Sequence, residues 1–166
     1  MDFQLSEEQR LWRRTVHDFV AKEIKPLARE INENEAIPPA LLKKMAPLGL
    51  LSMSIPETYH GAELDSISSA IAIEEIAWGD GGTALTVEAH NELGCEAVVL
   101  FGSEEQKKQY LPGVIAGEKK SLTSLALTEP QAGSDLRNVK TRAVKDGNDW
   151  VIQGSKAWIT NAGEAS

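Results

Sequence analysis

The sequence predicts an α+β protein: an N-terminal all-α helical bundle over residues 1–120, then the beginning of an antiparallel β-domain over residues 121–166. Apolar residues recur at steps of three and four through the first part, as on the buried face of a helix. In the second part they alternate every second position, as in a strand. Few strands are readable there, so we expect an incomplete β-domain.

The first predicted helix begins at a capping box, Ser6 to Gln9, and carries an apolar face through residue 31. Pro26 lies inside it and predicts either a kink or the junction of two helices. A second helix begins at Pro39 and ends at Pro47 to Gly49.

Asp65 is the predicted cap of a third helix, which ends at Gly79 to Gly82. That glycine-rich stretch lacks the lysine of a phosphate-binding P-loop, so we interpret it as a helix end and a turn. Residues 83–101 suit one or two helices, with Gly94 as a close-packing position or a break. A second capping box, Ser103 to Gln106, begins a short helix and brings the count to six helical segments.

The strand signals follow. Leu122 to Leu127 is a short apolar run that we interpret as a strand end. Val139 to Val144 and Trp150 to Ile152 alternate on either side of Asp146 to Asp149, which predicts a hairpin. Ala157 to Thr160 is a predicted third strand.

Composition narrows the class of protein. The net charge is -8 and the basic residues are scattered, which argues against a nucleic-acid partner. One cysteine, Cys95, excludes an intrachain disulfide and is interpreted as a small buried hydrophobe. The apolar runs are too short for a membrane span, and the N-terminus resembles no targeting signal, so we expect a cytoplasmic protein.

The histidines give little support for a catalytic or metal site. His17, His60 and His90 lie far apart without ligand spacing, and we expect surface histidines and no metal. A triad of Ser134, His90 and Asp135 is conceivable, but no nucleophile motif supports it.

The stretch Thr128 to Asp135 is better suited to binding. Pro130 excludes helix for the residue before it, and Gly133 with Ser134 allows close approach of the main chain to an anion such as a pyrophosphate. A structural turn capped by Thr128 or Asp135 is the alternative. We expect one carboxylate of the stretch to cap a turn and the other to hold the loop.

Trp158 and Thr160 are two residues apart, which places an indole and a hydroxyl on one side of the predicted third strand. That pair suits a flat heteroaromatic ligand, although an ordinary half-buried strand has the same pattern.

Four segments together resemble the acyl-CoA dehydrogenase family. They are LALTEPQAGSD (125–135), GSKAWITNAG (154–163), IPETYHGAELD (55–65) and FGSEEQKKQYLPGVIAGE (101–118). The resemblance implies an oxidoreductase with FAD as cofactor, an N-terminal helical domain, a middle β-domain and a C-terminal four-helix domain, assembled as a homo-oligomer. It also implies α,β-dehydrogenation of acyl-CoA thioesters to 2-enoyl-CoA in fatty acid metabolism, with an electron-transfer flavoprotein as acceptor.

The resemblance also implies roles for individual residues. Thr128 reaches the polar edge of the flavin, Trp158 packs on the flavin face away from substrate, and Thr160 approaches N5. Ser134 lies near the pyrophosphate and also meets the acyl-CoA. The predicted cofactor-binding residues are Leu125, Ala126, Leu127, Thr128, Glu129, Pro130, Gln131, Ala132, Gly133, Ser134, Trp158, Ile159 and Thr160, and Ser134 is the predicted substrate-binding residue.

The sequence departs from the family pattern in three ways. Leu125 stands where many relatives have an aromatic residue, and His60 replaces a common glycine. The family's catalytic glutamate has no counterpart within the 166 residues, so we predict no catalytic residue here, weak FAD binding and little activity for this chain alone.

Two alternatives stay open at this level. The first is a non-catalytic helical module that completes its sheet with a partner chain. The second is a relative of the acyl-CoA oxidases. Acyl chain length and branching are not readable from these residues.

Overall fold

The computed structural model describes residues 4–117 and 121–165, and its helices precede a two-stranded antiparallel ribbon, which confirms the α+β class. The α-helices are α1 (Glu7–Phe19), α2 (Ala28–Asn34), α3 (Pro39–Met45), α4 (Ser66–Gly79), α5 (Gly81–Glu88), α6 (Glu96–Phe101) and α7 (Glu104–Val114). π-Helical turns occupy Val20–Ile24 and Ala89–Cys95, and 3₁₀ turns occupy Lys25–Leu27, Ala46–Leu48, Glu57–Tyr59 and Leu136–Asn138. The strands are β1 (Arg142–Asp146) and β2 (Asp149–Gln153). No described helix is both long enough and apolar enough to cross a membrane.

Helix α1 begins as its sequence predicts. The Ser6 hydroxyl accepts from the Gln9 N–H, and the Gln9 side chain accepts from the Ser6 N–H. The predicted irregularity at Pro26 is a change of winding: the π turn passes into a 3₁₀ turn that contains Pro26, and α2 continues from there. Proline has no N–H to donate, so the regular ladder is interrupted at this point.

Two aspartates begin the central helices. The Asp65 carboxylate accepts from the N–H groups of Ile67 and Ser68 at the start of α4. The Asp80 carboxylate accepts from the Thr83 N–H and caps α5 directly after α4 ends. The stretch Gly79 to Gly82 is therefore the end of α4 and the beginning of α5, which meet at Asp80. The predicted helix end is confirmed, but the predicted turn is wrong, because Gly81 and Gly82 are helical.

Helix α1 and the π turn that follows it pack closely on α4, where Gly79 has no side chain. A Cβ at Gly79 would lie 2.4 Å from Cγ1 of Val20. The Trp12 indole N–H donates to the Ser68 carbonyl over 2.9 Å across the same interface. The core between the helices is aliphatic; its fully buried side chains include Val16, Val20, Ile24, Met45, Leu50, Leu51, Met53, Ile76 and Val87.

The hairpin prediction is confirmed, although β1 begins later than expected and β2 extends beyond Trp150 to Ile152 at both ends. Arg142 pairs with Gln153 and Asp146 with Asp149, around a two-residue turn in which Gly147 has a φ of 60°. Every residue of β1 and β2 is exposed.

Two of the strand predictions are wrong. Leu122 to Leu127 runs extended with a single isolated bridge, between Leu122 and Ala165, instead of a ladder. Ala157 to Thr160 forms turns, since Trp158 and Asn161 have φ values of 60° and 65°. Alternation of side chains needs extended backbone, so it does not apply to Trp158 and Thr160.

Candidate functional site

Two segments lie side by side at the edge of the helical bundle. The first is the 123–135 loop, and the second is the 156–161 turn. The Ala157 N–H donates to the Thr128 carbonyl over 3.0 Å, and the Ser124 hydroxyl donates to the Thr160 carbonyl over 2.7 Å. These bonds bring Thr128 and Thr160 onto neighbouring pieces of main chain.

Glu129 holds the 123–135 loop in shape. One carboxylate oxygen accepts from the Thr141 N–H, the Thr141 hydroxyl and the Lys156 ammonium; the other accepts from the Lys140 N–H and the Gln131 amide. The Thr141 hydroxyl, and after it the Lys140 N–H, hold the pKa of Glu129 well below its usual range. The Lys156 ammonium also donates to the Leu127 carbonyl over 2.9 Å, which ties the 156–161 turn to the loop.

The loop turns tightly after Glu129. Glu129 and Ala132 exchange two main-chain hydrogen bonds of 3.0 Å, which closes a turn with Pro130 at its first corner. Asp135 then caps the 3₁₀ turn by accepting from the Arg137 N–H. One carboxylate therefore holds the loop and the other caps a turn, as predicted for this pair.

Between Glu129 and Asp135 the main chain is accessible to solvent. Gly133 and Ser134 are exposed, and a Cβ built at Gly133 would meet no atom within 4 Å among the described residues. The absent side chain leaves the N–H groups of this stretch accessible to a bulky polar ligand such as a phosphate.

Trp158 presents its ring to solvent. It is 92% exposed, and its φ of 60° is unusual for an aromatic residue. Such a conformation costs on the order of 1 kcal/mol or more and persists where neighbouring contacts fix it. The Ala157 N–H bond on one side and the Ser124 bond to Thr160 on the other are those contacts.

Thr128 and Thr160 are half-buried residues, and their hydroxyls have no hydrogen-bond partner within residues 4–117 and 121–165. Neither hydroxyl is among the fully buried atoms, so both are available to donate to a ligand. Two hydroxyls beside an exposed indole, with accessible main chain nearby, form a donor set that suits the polar edge and the face of a flat heteroaromatic ring.

The remaining predicted residues divide by exposure. The exposed ones are Leu125, Ala126, Leu127, Pro130 and Gln131; Ile159 is half-buried and Ala132 is buried.

His90 corrects the expectation of surface histidines. It is fully buried, its Nε2 lies 3.0 Å from the Leu51 carbonyl, and its Nδ1 accepts from the Thr123 N–H over 3.0 Å. Both ring nitrogens are engaged, so the triad with exposed Ser134 and Asp135 is not formed. No group of three or more potential metal ligands occurs among the described residues.

Cys95 is buried beside His90, as its interpretation as a small hydrophobe predicts. Burial raises the pKa of the Cys95 thiol to about 11, so the thiol is protonated and unreactive at neutral pH.

Sequence reasoning missed Asn161 as a site residue. Its side-chain amide donates to the carbonyls of Thr86 and Thr123, over 3.1 and 3.2 Å. A positive φ is tolerated by asparagine, and an asparagine directly after a predicted binding threonine is a signal for such a turn. Thr86, Thr160 and Asn161 also line a cavity of about 410 Å³ between α2, α5 and the 156–161 turn.

Comparison with known proteins identifies the family of the chain. Residues 6–118 match the acyl-CoA dehydrogenase N-terminal domain and residues 124–166 match the middle domain. The chain is 42% identical over 165 residues to a probable acyl-CoA dehydrogenase, YngJ, of Bacillus subtilis, covering 99% of this chain and 43% of that protein. It is 40% identical over 163 residues to the human mitochondrial short-chain specific acyl-CoA dehydrogenase, covering 98% of this chain and 39% of that protein.

The fold agrees as well. An acyl-CoA dehydrogenase of Bacillus anthracis, solved as a complex with FAD, superposes with a TM-score of 0.88 at 41% identity, covering 98% of this chain and 28% of that one. The chain spans about two fifths of the length of the curated relatives named above. The chain belongs to the acyl-CoA dehydrogenase family.

Proposed function

We propose that this chain carries part of the FAD site and part of the acyl-CoA site of an oxidoreductase that dehydrogenates acyl-CoA thioesters to 2-enoyl-CoA. The observation that carries the proposal is the pair of unpartnered hydroxyls, Thr128 and Thr160, on two segments that hydrogen bonds lock side by side. Family membership and the FAD complex of the Bacillus anthracis relative support it.

The residues fit the cofactor. The main chain of Leu125 to Ser134 would follow the flavin edge, and the open stretch at Gly133 would admit the pyrophosphate. The exposed Trp158 ring would cover one flavin face. When bound, FAD would supply the two-electron acceptor for the dehydrogenation.

The chain's own residues would act by placement. Thr128 and Thr160 donate hydrogen bonds where negative charge develops during reduction, and donors fixed beforehand avoid the cost of reorientation. Ser134 would contact the acyl-CoA. Neither Glu129 nor Asp135 is offered as the base, because each carboxylate is occupied in holding the loop or capping its turn.

The finer assignments are also proposals. We propose a division into a helical domain, residues 1–120, and a part of the middle β-domain, residues 121–166. An electron-transfer flavoprotein as electron acceptor, homo-oligomeric assembly, a role in fatty acid metabolism and a cytoplasmic location are proposed on the family resemblance and the sequence.

The test uses protein expressed from the complete reading frame. Trp158→Ala and Thr160→Val should each weaken FAD binding, together by about tenfold or more, because a ring contact and a hydrogen bond are lost. Trp150→Ala is the matched control, since Trp150 is also exposed (62%) but lies on β2. FAD affinity that is unchanged in the double variant contradicts the proposal.

One observation favours a second function, an interaction module. Val144, Trp150 and Ile152 are exposed on a ribbon whose two faces are both open. Exposed apolar strands pair readily with other chains. Protein that binds a partner through this ribbon, yet neither retains FAD nor reduces it with any acyl-CoA of a chain-length series, would establish this function instead.

A further inference from the structure

We propose that His90 and Asn161 are positioning residues, which act through the main chain of Thr123 to hold the two flavin-facing segments in register. The inference rests on the proposed function. It concerns how the 123–135 loop and the 156–161 turn keep their spacing, and it assigns that task to the buried π turn Ala89–Cys95.

The first step is the histidine. His90 lies in the π turn, and its Nε2–H donates to the Leu51 carbonyl in the connector before α4. Nδ1 is therefore the acceptor, and the Thr123 N–H donates to it. Burial lowers the pKa of His90, so the ring is neutral and keeps one donor and one acceptor, both in use.

The second step is the main chain of Thr123. Its N–H is fixed by His90, and its carbonyl accepts from the Asn161 amide over 3.2 Å. The same amide donates to the Thr86 carbonyl of α5. A continuous series of hydrogen bonds thus runs from Leu51 in the core to Asn161.

The third step connects the series to the site. Thr123 lies two residues before Leu125, where the first flavin-facing stretch begins, and Asn161 directly follows Thr160. The Ser124 hydroxyl donates to the Thr160 carbonyl, which adds a parallel bond between the two segments. A shift of Thr123 would therefore move both segments.

Small shifts matter at such a site. A displacement of a reacting group by about 1 Å can lower the rate of the catalysed reaction by about 100-fold. We therefore expect the loss of the Thr123 bonds to change the rate of flavin reduction and not only stability.

Two substitutions of His90 separate the bonds. In His90→Gln, the side-chain amide N–H can replace Nε2–H as the donor to the Leu51 carbonyl. The Thr123 N–H, however, loses its acceptor. In His90→Asn, the side-chain amide oxygen can replace Nδ1 as the acceptor for the Thr123 N–H. The Leu51 carbonyl then loses the hydrogen bond that it accepts from Nε2–H. His90→Gln should slow flavin reduction by about tenfold or more, whereas His90→Asn should restore most of the rate despite a lower Tm.

Asn161→Gly removes the other end of the series and tolerates the positive φ, so a slower reduction would come from the lost bonds and not from strain. Asn91→Ala is the matched control. Asn91 is a buried neighbour of His90, but its amide bonds go to Leu50, Met53 and Val87 within the helical part. We expect Asn91→Ala to lower Tm and leave the reduction rate like wild type.

The measurement is anaerobic reduction of the FAD-loaded protein from the complete reading frame by a saturating acyl-CoA, the one that reduces wild type fastest in a series of chain lengths. The visible spectrum of bound FAD and Tm are recorded for each variant. Slow reduction and an altered spectrum in His90→Gln and Asn161→Gly, with rescue in His90→Asn, support the inference. Wild-type rates in both, or equal slowing in Asn91→Ala, overturn it. A wild-type protein that no acyl-CoA in a series of short, medium, long and branched thioesters reduces overturns the proposed function and the inference together, so the two failures are distinguishable.

Discussion

Glu129 shows, at the scale of one residue, how a polar loop is given a fixed shape. The residue is 3% exposed, and two main-chain N–H groups, a hydroxyl, an amide and an ammonium surround the carboxylate. Such a set of donors stabilises the charged form. The shape of the loop therefore depends on the negative charge of Glu129.

We expect Glu129→Gln to lower Tm by several degrees at pH 7, because the new amide N–H group faces donors. The pKa of Glu129 is depressed in the folded chain, so its contribution to stability is present above the ordinary glutamate pKa of about 4.3 and is lost as pH falls towards the folded value. The Tm difference between wild type and variant should narrow as pH falls below about 4.3.

Thermal unfolding measured between neutral and acidic pH checks this prediction. Glu33→Gln is the control, since the exposed Glu33 carboxylate pairs with Arg29 on the surface of α2 and should matter little. A constant difference for Glu129→Gln across the pH range would contradict the expected dependence on charge.

Gly94 allows close packing of the π turn Ala89–Cys95 against Thr123. A Cβ at this position would lie 2.0 Å from the Thr123 hydroxyl oxygen and 2.3 Å from the Thr123 Cβ. We expect Gly94→Ala to lower the free energy of unfolding by about 1–3 kcal/mol through overpacking. Gly113→Ala in α7 meets no described atom within 4 Å and should be neutral or stabilising by up to about 1 kcal/mol. Denaturant unfolding compares them, and equal stability of the two variants would contradict the close packing.

At the scale of the element, the π turn Ala89–Cys95 determines which side chains face inward. It buries two polar residues, His90 and Asn91, together with Gly94 and Cys95. The wider winding of a π turn brings neighbouring positions onto one face, and such turns often occur at functional sites.

Asn91 tests the importance of that turn for stability. Its side chain accepts from the Met53 N–H and donates to the Leu50 and Val87 carbonyls. We expect Asn91→Ala to lower the free energy of unfolding by about 1–3 kcal/mol, since buried partners lose their hydrogen bonds. Asn34→Ala at the exposed end of α2 is the control, and a loss no greater than the control's in urea unfolding would contradict the role of Asn91.

The regular elements follow from local sequence. Each helix cap and the hairpin turn depend on hydrogen bonds between residues no more than four positions apart. All of them are formed: the capping boxes at Ser6 and Ser103, the caps at Asp65 and Asp80, and the turn at Gly147. Local reasoning also identified the loop around Glu129 as a shaped turn.

The burial of His90 and the turn at Trp158 did not follow from local sequence. The partners of His90 lie 39 and 33 residues away, at Leu51 and Thr123, and no local pattern reports such contacts. The stretch from Ala157 to Thr160 has strand-like composition, but its bonds go to the 123–135 loop, and tertiary contacts outweigh propensity there.

At the scale of the whole molecule, the two parts differ in how they are stabilised. The helices enclose an aliphatic core, whereas β1 and β2 contribute no buried side chain. An isolated two-stranded ribbon is marginal in water.

Hydrogen exchange on the 166-residue chain should reflect this difference. We expect amides of α1 and α4 to be protected through global unfolding and those of β1 and β2 to exchange by local opening, at much faster rates. Mass spectrometry of peptic fragments resolves the two regions. Equal protection of the ribbon would contradict the prediction and indicate that a second copy covers its edges.

The exposed Trp158 ring has a practical consequence for handling the protein. A largely exposed indole adds apolar surface, and exposed apolar surface promotes aggregation during expression. In protein from the complete reading frame that binds FAD as proposed, the cofactor would cover this ring, so riboflavin added to the growth medium should raise the soluble yield. The weak FAD binding expected for the 166-residue chain alone predicts little effect there.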